Sequence, residues 1–187
     1  YPLEEGGAPA LSAPDFLLAD PGDQGDYDVV WKITGANSGT RTADGTTVSF
    51  SNTQSLEGAA GSDLFIIYPG GSLDGYIDGK GGDDALVYGW SDGTWSDPVA
   101  VSFSTATQAA ATAIGGFTQN IELYVAGDHA GDTLTAANVP NTWTLTGADQ
   151  GQVGNTTVTS FMGFEDLRGG TGEDEFVFDA GASVTVG

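Results

Sequence analysis

Several kinds of residue are missing or scarce in this chain of 187 residues, and each absence excludes a class of structure or function. There is no cysteine, which excludes disulfide bonds and thiolate metal sites. Only four residues are basic and they stand apart, so we expect neither nucleic acid nor an anionic membrane surface as a partner. The single histidine and the few cations leave little material for acid–base or oxyanion chemistry. We therefore expect no enzyme activity and no catalytic residue.

Long apolar runs are missing as well. The stretch 64–68 is typical, and it is far shorter than a membrane-spanning segment, so we expect no insertion into a bilayer. The chain begins with Tyr1 and not with methionine, and we interpret it as a processed or excised piece of a longer protein.

Acidic residues are abundant instead, with 26 of them giving a formal net charge of -22. Such a charge repels itself and destabilises a compact state. The chain is nevertheless 39% hydrophobic, which supplies enough apolar surface for one buried core at this length. We therefore expect a folded protein with cations between some of its carboxylates.

The composition changes at about residue 29. Residues 1–28 carry four of the seven prolines and are predicted to form an extended arm, whose one apolar stretch contains Phe16, Leu17 and Leu18. From residue 29 to 187 the chain consists of short runs of Val, Ile, Thr and aromatic residues between Gly, Asp and Asn, which predicts strands and turns throughout. Only residues 107–114 have the composition of a helical turn.

The chain also contains a long internal repeat. Residues 31–74 align with residues 143–187, and Trp31 and Trp143 are 112 residues apart. Further shared positions are Phe50 and Phe161, Leu56 and Leu167, and Phe65 and Phe176. We predict one full repeat over about 31–142 and the start of a second over 143–187, with both tryptophans in structural positions.

A shorter period lies within the long one, because four strand-like runs follow a corner of glycine and acidic residues. The corners are 58–65, 79–86, 127–134 and 169–176. Their final aspartates, which are 21, 48 and 42 residues apart, are Asp63, Asp84, Asp132 and Asp174. These intervals fit one or two coils of roughly 21 to 24 residues, the length of three short strands and their turns. The prediction is a right-handed parallel β-helix of about six or seven coils; a pair of β-sandwich domains is the alternative.

The corners have the form G-G-x-G-x-D-x-U, with U a large apolar residue, which is a calcium-binding pattern of β-helices. Glycine allows the backbone to turn through positive φ, and aspartate supplies the hard oxygen that calcium prefers. The predicted loop glycines are Gly58, Gly61, Gly79, Gly82, Gly127, Gly169, Gly170 and Gly172. The predicted ligands are the four final aspartates, with Asp78, Asp83 and Asp128 as a second set. The simpler reading is that Gly-Asp pairs are good turn formers.

These corners resemble the RTX (repeats-in-toxin) family, whose tandem nonapeptides form calcium-loaded β-rolls. The nonapeptides here are isolated and not consecutive, which departs from that family. A closer likeness is to the long repeats of very large bacterial surface and secreted proteins, of the form W-x-I-T-G followed by F-x-x-x-E-x-L-x-G-G-x-G-x-D-x-F. It covers about residues 29–187, and it implies a secreted or cell-surface module for adhesion or matrix structure.

Two further features suggest partners. Trp90 and Trp95 lie among polar residues and are candidates for stacking on glycans, although packing over a loop is the simpler reading. The alternative function is a self-assembling subunit of an extracellular filament or surface layer, in which Phe16, Leu17 and Leu18 dock on a neighbouring copy by strand addition. A carbohydrate-binding module is the second alternative.

Overall fold

The computed structural model describes residues 29–89 and 94–185 in full, and residues 10–12 and 16–17 by their backbone pairing. These residues form strands and no helix, which confirms the predicted all-β class. None of them therefore belongs to a helix that is long and apolar enough to cross a membrane. The strands are β1 Ala10–Ser12, β2 Phe16–Leu17, β3 Val30–Gly35, β4 Ser38–Ala43, β5 Thr46–Ser51, β6 Ser55–Glu57, β7 Leu64–Ile67, β8 Ile77–Asp78, β9 Ala85–Tyr88, β10 Ala100–Phe103, β11 Gln108–Ala111, β12 Thr118–Gln119, β13 Leu123–Val125, β14 Thr133–Thr135, β15 Thr142–Gly147, β16 Gln150–Gly154, β17 Val158–Met162, β18 Asp166–Arg168 and β19 Glu175–Phe178.

The strands belong to two mixed sheets. The first has eleven strands in the order β1-β5-β4-β3-β7-β9-β13-β17-β16-β15-β19, and the second has eight in the order β18-β14-β10-β11-β12-β8-β6-β2. From β5 onward the chain passes back and forth between the two sheets. Both sheets therefore contain strands from both halves of the chain.

Strands from successive passes pair in parallel and place like residues opposite one another. In the first sheet Trp31 lies opposite Phe65, and Phe65 lies opposite Leu86. The column continues through Tyr124 to Phe161. All five side chains are at most 1% exposed, so one continuous apolar core runs along the sheet. Successive side chains of a strand point to opposite faces of the sheet, so paired residues in register point to the same face and form this column.

Three antiparallel meanders interrupt the parallel pairing, namely β3 to β5, β10 to β12 and β15 to β17. The first and third begin at equivalent turns, where Asn37 and Asp149 have φ of 51° and 52°. The second contains the segment that has the composition of a helical turn. There Ala109 and Ala111 face the core and pair with β10, so tertiary pairing overrides the local alanine preference.

The two copies of the long repeat have the same aromatic packing. Trp31 meets Phe50 edge to face at 5.9 Å, and Trp143 meets Phe161 in the same way at 5.8 Å. Trp31 also stacks on Phe65, as Trp143 stacks on its counterpart in the second copy. Both tryptophans are fully buried, as expected of structural positions.

Candidate functional site

An acidic residue stands immediately before several of the strands that pair in parallel. Asp63, Asp84 and Glu122 precede β7, β9 and β13 of the first sheet, while Asp132 and Glu165 precede β14 and β18 of the second. The turn before each strand brings the main chains of neighbouring passes together where regular sheet pairing begins. A main-chain N–H at this point needs an acceptor other than those of the regular strand pairing, because a buried N–H without a hydrogen bond destabilises the folded state.

In the first sheet the acidic residues form a hydrogen-bonded column. Asp63 Oδ1 accepts the main-chain N–H of Val29 at 3.1 Å. Asp84 Oδ1 accepts the N–H of Asp63 at 2.7 Å, and Glu122 Oε2 accepts the N–H of Asp84 at 2.8 Å. Each carboxylate therefore caps the strand start of the neighbouring pass, across 21 to 38 residues of sequence.

The second sheet contains a matching column. Asp132 Oδ1 accepts the N–H of Val99 at 2.8 Å, and Glu165 Oε2 accepts the N–H of Asp132 at 3.1 Å. The fourth corner repeats the device, because Asp174 Oδ1 accepts both the N–H of Asn141 at 3.1 Å and its Nδ2–H at 2.8 Å. We call these two sets, with the Asn141–Asp174 pair, the acidic columns.

The structure therefore brings the four predicted corner aspartates to equivalent places and adds two residues that the corner pattern missed. Glu122 and Glu165 lie outside the glycine-rich segments, yet they perform the same capping role. The signal for them was present, since each glutamate follows a phenylalanine in the segment that introduces a corner, Glu165 four positions after Phe161 and Glu122 five positions after Phe117.

The first glycine of three corners is required by close approach and not by backbone conformation. A Cβ on Gly58 would overlap Asp63 Oδ2, and one on Gly79 would overlap Asp84 Oδ2 and the carbonyl oxygen of Asn120. Gly169 is placed in the same way against Asp174. A Cβ on Gly127 would instead meet Trp95.

Positive φ occurs at other positions of the corners. It is found at Gly82 with 115° and Gly170 with 86°, and also at Lys80 with 74°, where the motif has its second glycine. The expectation that glycine is needed for positive φ is therefore right for Gly82 and Gly170 and wrong for the other six predicted loop glycines, which are Gly58, Gly61, Gly79, Gly127, Gly169 and Gly172.

Three carboxylates of the acidic columns are removed from water, while those of Glu122, Glu165 and Asp174 are half-buried. Asp63 and Asp84 are 1% exposed and Asp132 is 0% exposed. Oδ2 of Asp84 and Oδ2 of Asp132 are buried without a hydrogen-bond partner in the described chain. Burial, together with the charges of Asp63 and Glu122, raises the pKa of Asp84 to about 8. Burial and the neighbouring Glu165 also raise the pKa of Asp132.

Asp78 is not part of the acidic columns, in contrast to its predicted place in the second ligand set. It lies in β8, where Asn120 Nδ2, Gln119 Nε2 and the main-chain N–H of Lys80 all donate to its carboxylate, at 2.8, 2.7 and 3.0 Å respectively. Lys80 Nζ is also 3.2 Å from Asp78 and 2.6 Å from Glu57. Burial opposes ionisation of Asp78, but these hydrogen bonds outweigh it and lower its pKa. Protein donors therefore satisfy this carboxylate.

The other two residues of the second ligand set, Asp83 and Asp128, are exposed to solvent. Asp83 directly precedes the buried Asp84, and Asp128 belongs to the same corner as the buried Asp132. Both therefore lie on the solvent side of their corners and outside the acidic columns. They remain candidates only for a site at the surface of a corner.

Calcium takes six to eight oxygen ligands, so a calcium site needs several oxygens around one point. In the ranges 29–89 and 94–185 no three acidic or histidine side chains converge on one point. Each corner aspartate also uses Oδ1 for a main-chain N–H. The oxygens that fit a cation are Oδ2 of Asp84, which lies with the Asn120 carbonyl oxygen beside Gly79, and Oδ2 of Asp132. The corners therefore supply every acceptor that the main-chain caps need, but only some of the oxygens that a calcium ion needs.

Trp95 does not offer an exposed ring face for glycan stacking. It is only 7% exposed and meets Tyr88 edge to face at 5.3 Å, which is the packing alternative. The predicted platform is therefore wrong at Trp95, because burying so large a ring stabilises the fold more than leaving it in water. Trp90 lies outside the described residues.

The apolar stretch of the arm pairs with its own chain. Phe16 lies opposite Ser55 and Leu17 opposite Leu56, in parallel, at one edge of the second sheet. Ala10–Ser12 pairs in the same way with β5 at one edge of the first sheet. Leu18 lies outside the described residues.

No protein-family model, no curated protein and no solved structure matches this chain.

Proposed function

We propose that the chain is a non-catalytic β-solenoid module of a secreted or cell-surface protein, in which stacked coils serve adhesion or matrix structure. The winding of the chain supports the solenoid. Successive passes alternate between two sheets and pair in parallel, at sequence separations of 21 to 38 residues in the first acidic column. Right-handed winding is part of the proposal.

The observation that carries this function is the pair of acidic columns. Each carboxylate lies at a strand start and bonds to the main chain of the neighbouring pass, and those of Asp63, Asp84 and Asp132 are buried. This arrangement fixes the register between passes, because a shift of one residue would remove both the cap and the apolar column beneath it. A residue used in this way serves the framework and is not available to a substrate. The scarcity of groups for acid–base chemistry in the sequence supports the same conclusion.

Calcium is the second part of the proposal. The available oxygens of Asp84 and Asp132, with the Asn120 carbonyl oxygen beside Asp84, are hard ligands of the kind that calcium prefers. When bound, the ion would neutralise buried carboxylates that otherwise repel one another. Weak extracellular calcium modules work at millimolar calcium, so the ion would stiffen the solenoid after secretion.

Thermal unfolding in about 2 mM calcium, which is of the order of that extracellular regime, and in excess EDTA tests the calcium proposal. We expect a higher Tm with calcium, and a smaller calcium effect in the double variant Asp84→Asn, Asp132→Asn. A Tm that is the same in both buffers would refute calcium binding. The carboxylates of the acidic columns would then act only as hydrogen-bonded caps. Small-angle scattering tests the solenoid separately, because an elongated rod is expected and a pair of globes would contradict it.

A second candidate function is assembly into an extracellular filament, and one observation favours it. Phe176, Val177 and Phe178 in β19 are 41%, 39% and 54% exposed, at an edge of the first sheet. The equivalent Phe65 and Ile66 of the first repeat are at most 1% exposed, because β9 covers them. An open strand edge with an apolar face is a template for pairing with another chain.

Electron microscopy and sedimentation of the purified chain test this second candidate. We expect concentration-dependent polymers that the edge charge of Phe178→Lys abolishes. Val158→Lys is the matched control, since Val158 is a comparably exposed apolar residue at 42%. Polymers that survive Phe178→Lys, or a monomer at every concentration, would exclude assembly through this edge.

A further inference from the structure

A groove that none of the predicted sites includes lies between two hairpin turns and a loop. It is formed by the turn between β10 and β11, the turn between β16 and β17, and residues 136–141. Its volume is about 300 Å³, which is the lower end of the range for small-molecule sites.

The floor of the groove is apolar and closed. Phe103 is 8% exposed, Val153 is 5% exposed, and Ala136 and Ala137 are at most 5% exposed, while all four line the groove. Phe103 is fixed from behind, because its ring meets Tyr124 edge to face at 5.5 Å. The floor therefore presents a small and rigid apolar surface to whatever occupies the groove.

The rim is polar but uncharged. Thr105, Thr156 and Thr157 supply hydroxyl groups, each of which can donate and accept a hydrogen bond. None of the residues that line the groove is ionisable, although the chain carries a net charge of -22. The groove therefore has no partner for the charge of an ionic ligand, and it favours a neutral one.

The wall of the groove is held in place by hydrogen bonds. Asn155 Nδ2 donates to the carbonyl oxygen of Pro140 at 2.7 Å, and Asn155 Oδ1 accepts the N–H of Thr142 at 3.1 Å. Asn141 Nδ2 donates in turn to the carbonyl oxygens of Ala137 and Val139, at 3.0 and 2.5 Å. A wall fixed in this way needs little ordering when a ligand arrives, which favours binding. It also uses both polar atoms of Asn155, the asparagine of an N-x-T sequence.

We propose that this groove binds a neutral sugar residue of a glycan. A pyranose ring matches its two surfaces, with one apolar face for the floor of Phe103 and Val153 and hydroxyl groups around the ring for the threonine rim. The site requires neither calcium nor contact between copies, so it stands independently of the proposed function. It also lies apart from Trp95, whose burial removes it as a platform.

Saturation-transfer NMR tests the proposal with methyl glycosides of glucose, galactose and mannose and with N-acetylglucosamine. Glucuronate and glucosamine serve as the anionic and cationic counterparts at pH 7. We expect saturable binding of at least one neutral sugar, and binding of its charged counterpart to be at least several times weaker. The variant Ala106→Trp, which fills the mouth of the groove, should weaken binding at least tenfold.

The matched control is Ala110→Trp, because Ala110 is exposed on the same meander and does not line the groove. It should bind sugar as the unmodified chain does, and circular dichroism should show both variants folded. Failure of every neutral sugar to bind would overturn the proposal, and equal sugar binding by Ala106→Trp and the unmodified chain would overturn its location in this groove. Binding of a hydrophobic dye that Ala106→Trp removes, without binding of any sugar, would overturn the ligand class.

Discussion

The carboxylate of Asp84 accepts the main-chain N–H of Asp63 at 2.7 Å, although 21 residues separate the two in sequence. Asp84 is 1% exposed, and its second oxygen has no hydrogen-bond partner in the described chain. The same side chain therefore stabilises the neighbouring strand start and leaves a buried charge uncompensated whenever it ionises.

Removing the cap of the second acidic column should destabilise the protein. In Asp132→Ala the N–H of Val99 would remain buried without its acceptor, which costs about 1–3 kcal/mol of unfolding free energy. Asp132→Asn keeps an oxygen acceptor and should lose less. Urea unfolding at pH 7 measures both, with the exposed Asp128→Ala as the control, expected within about 0.5 kcal/mol of the parent. Equal losses in Asp132→Ala and Asp128→Ala would show that the cap contributes nothing.

Stability should fall as the pH rises from about 4 to 8 when calcium is removed. The pKa of Asp84 is about 8 in the folded chain against 3.8 for an unperturbed aspartate, so the folded state holds the extra proton between these values. The slope for one such group approaches about 1.4 kcal/mol per pH unit. Asp132, whose pKa is also raised, acts in the same direction.

The variant Asp84→Asn checks the assignment of this slope, since it removes the titrating group and keeps the acceptor for Asp63. Unfolding by urea in EDTA between pH 5 and 8 should give a flatter dependence for the variant, and the variant should be the more stable protein at pH 8. A parent chain whose stability rises over this pH range would contradict the buried, proton-binding state of Asp84.

Two glycines of one corner should respond differently to alanine. Gly79→Ala would drive a Cβ into Asp84 Oδ2 and the Asn120 carbonyl oxygen, and backbone cannot yield as a side chain can. We expect a loss of about 2 kcal/mol or more. Gly81→Ala meets nothing within 4 Å and has no positive φ, so it should be neutral or slightly stabilising. Comparable losses in thermal unfolding of the two variants would disprove the close-approach explanation.

Equivalent phenylalanines of the two repeat copies should have unequal effects. Phe65 is fully buried, so Phe65→Ala should cost about 3–5 kcal/mol. Phe176 stacks on Trp143 in the same way but is 41% exposed, and Phe176→Ala should cost markedly less. Urea titrations of the two variants measure the difference. Polymers that bury β19 would increase the loss of unfolding free energy in Phe176→Ala, so both variants are measured at low protein concentration.

The repeat and the corners were predictable from residue types because they recur at fixed spacing. Trp31 and Trp143 do have the same neighbours, and Asp63, Asp84, Asp132 and Asp174 do stand at equivalent strand starts. The role of the aspartates was not predictable in the same way. A Gly-Asp corner can hold an ion or cap a main-chain N–H, and the choice depends on which N–H lies opposite, a neighbour that is 21 to 34 residues away.

The all-β class, the acidic and glycine-rich corners and the scarcity of catalytic groups were all predictable from residue types and spacing, because strand periodicity, turn chemistry and composition are local properties. The folded arrangement of the chain places Glu122 and Glu165 with the corner aspartates, surrounds Asp78 with donors and buries Trp95, none of which residue types alone could predict. It also decided where an uncharged groove forms. Each of these depends on contacts between passes of the chain, and such contacts exist only after the sheets have formed.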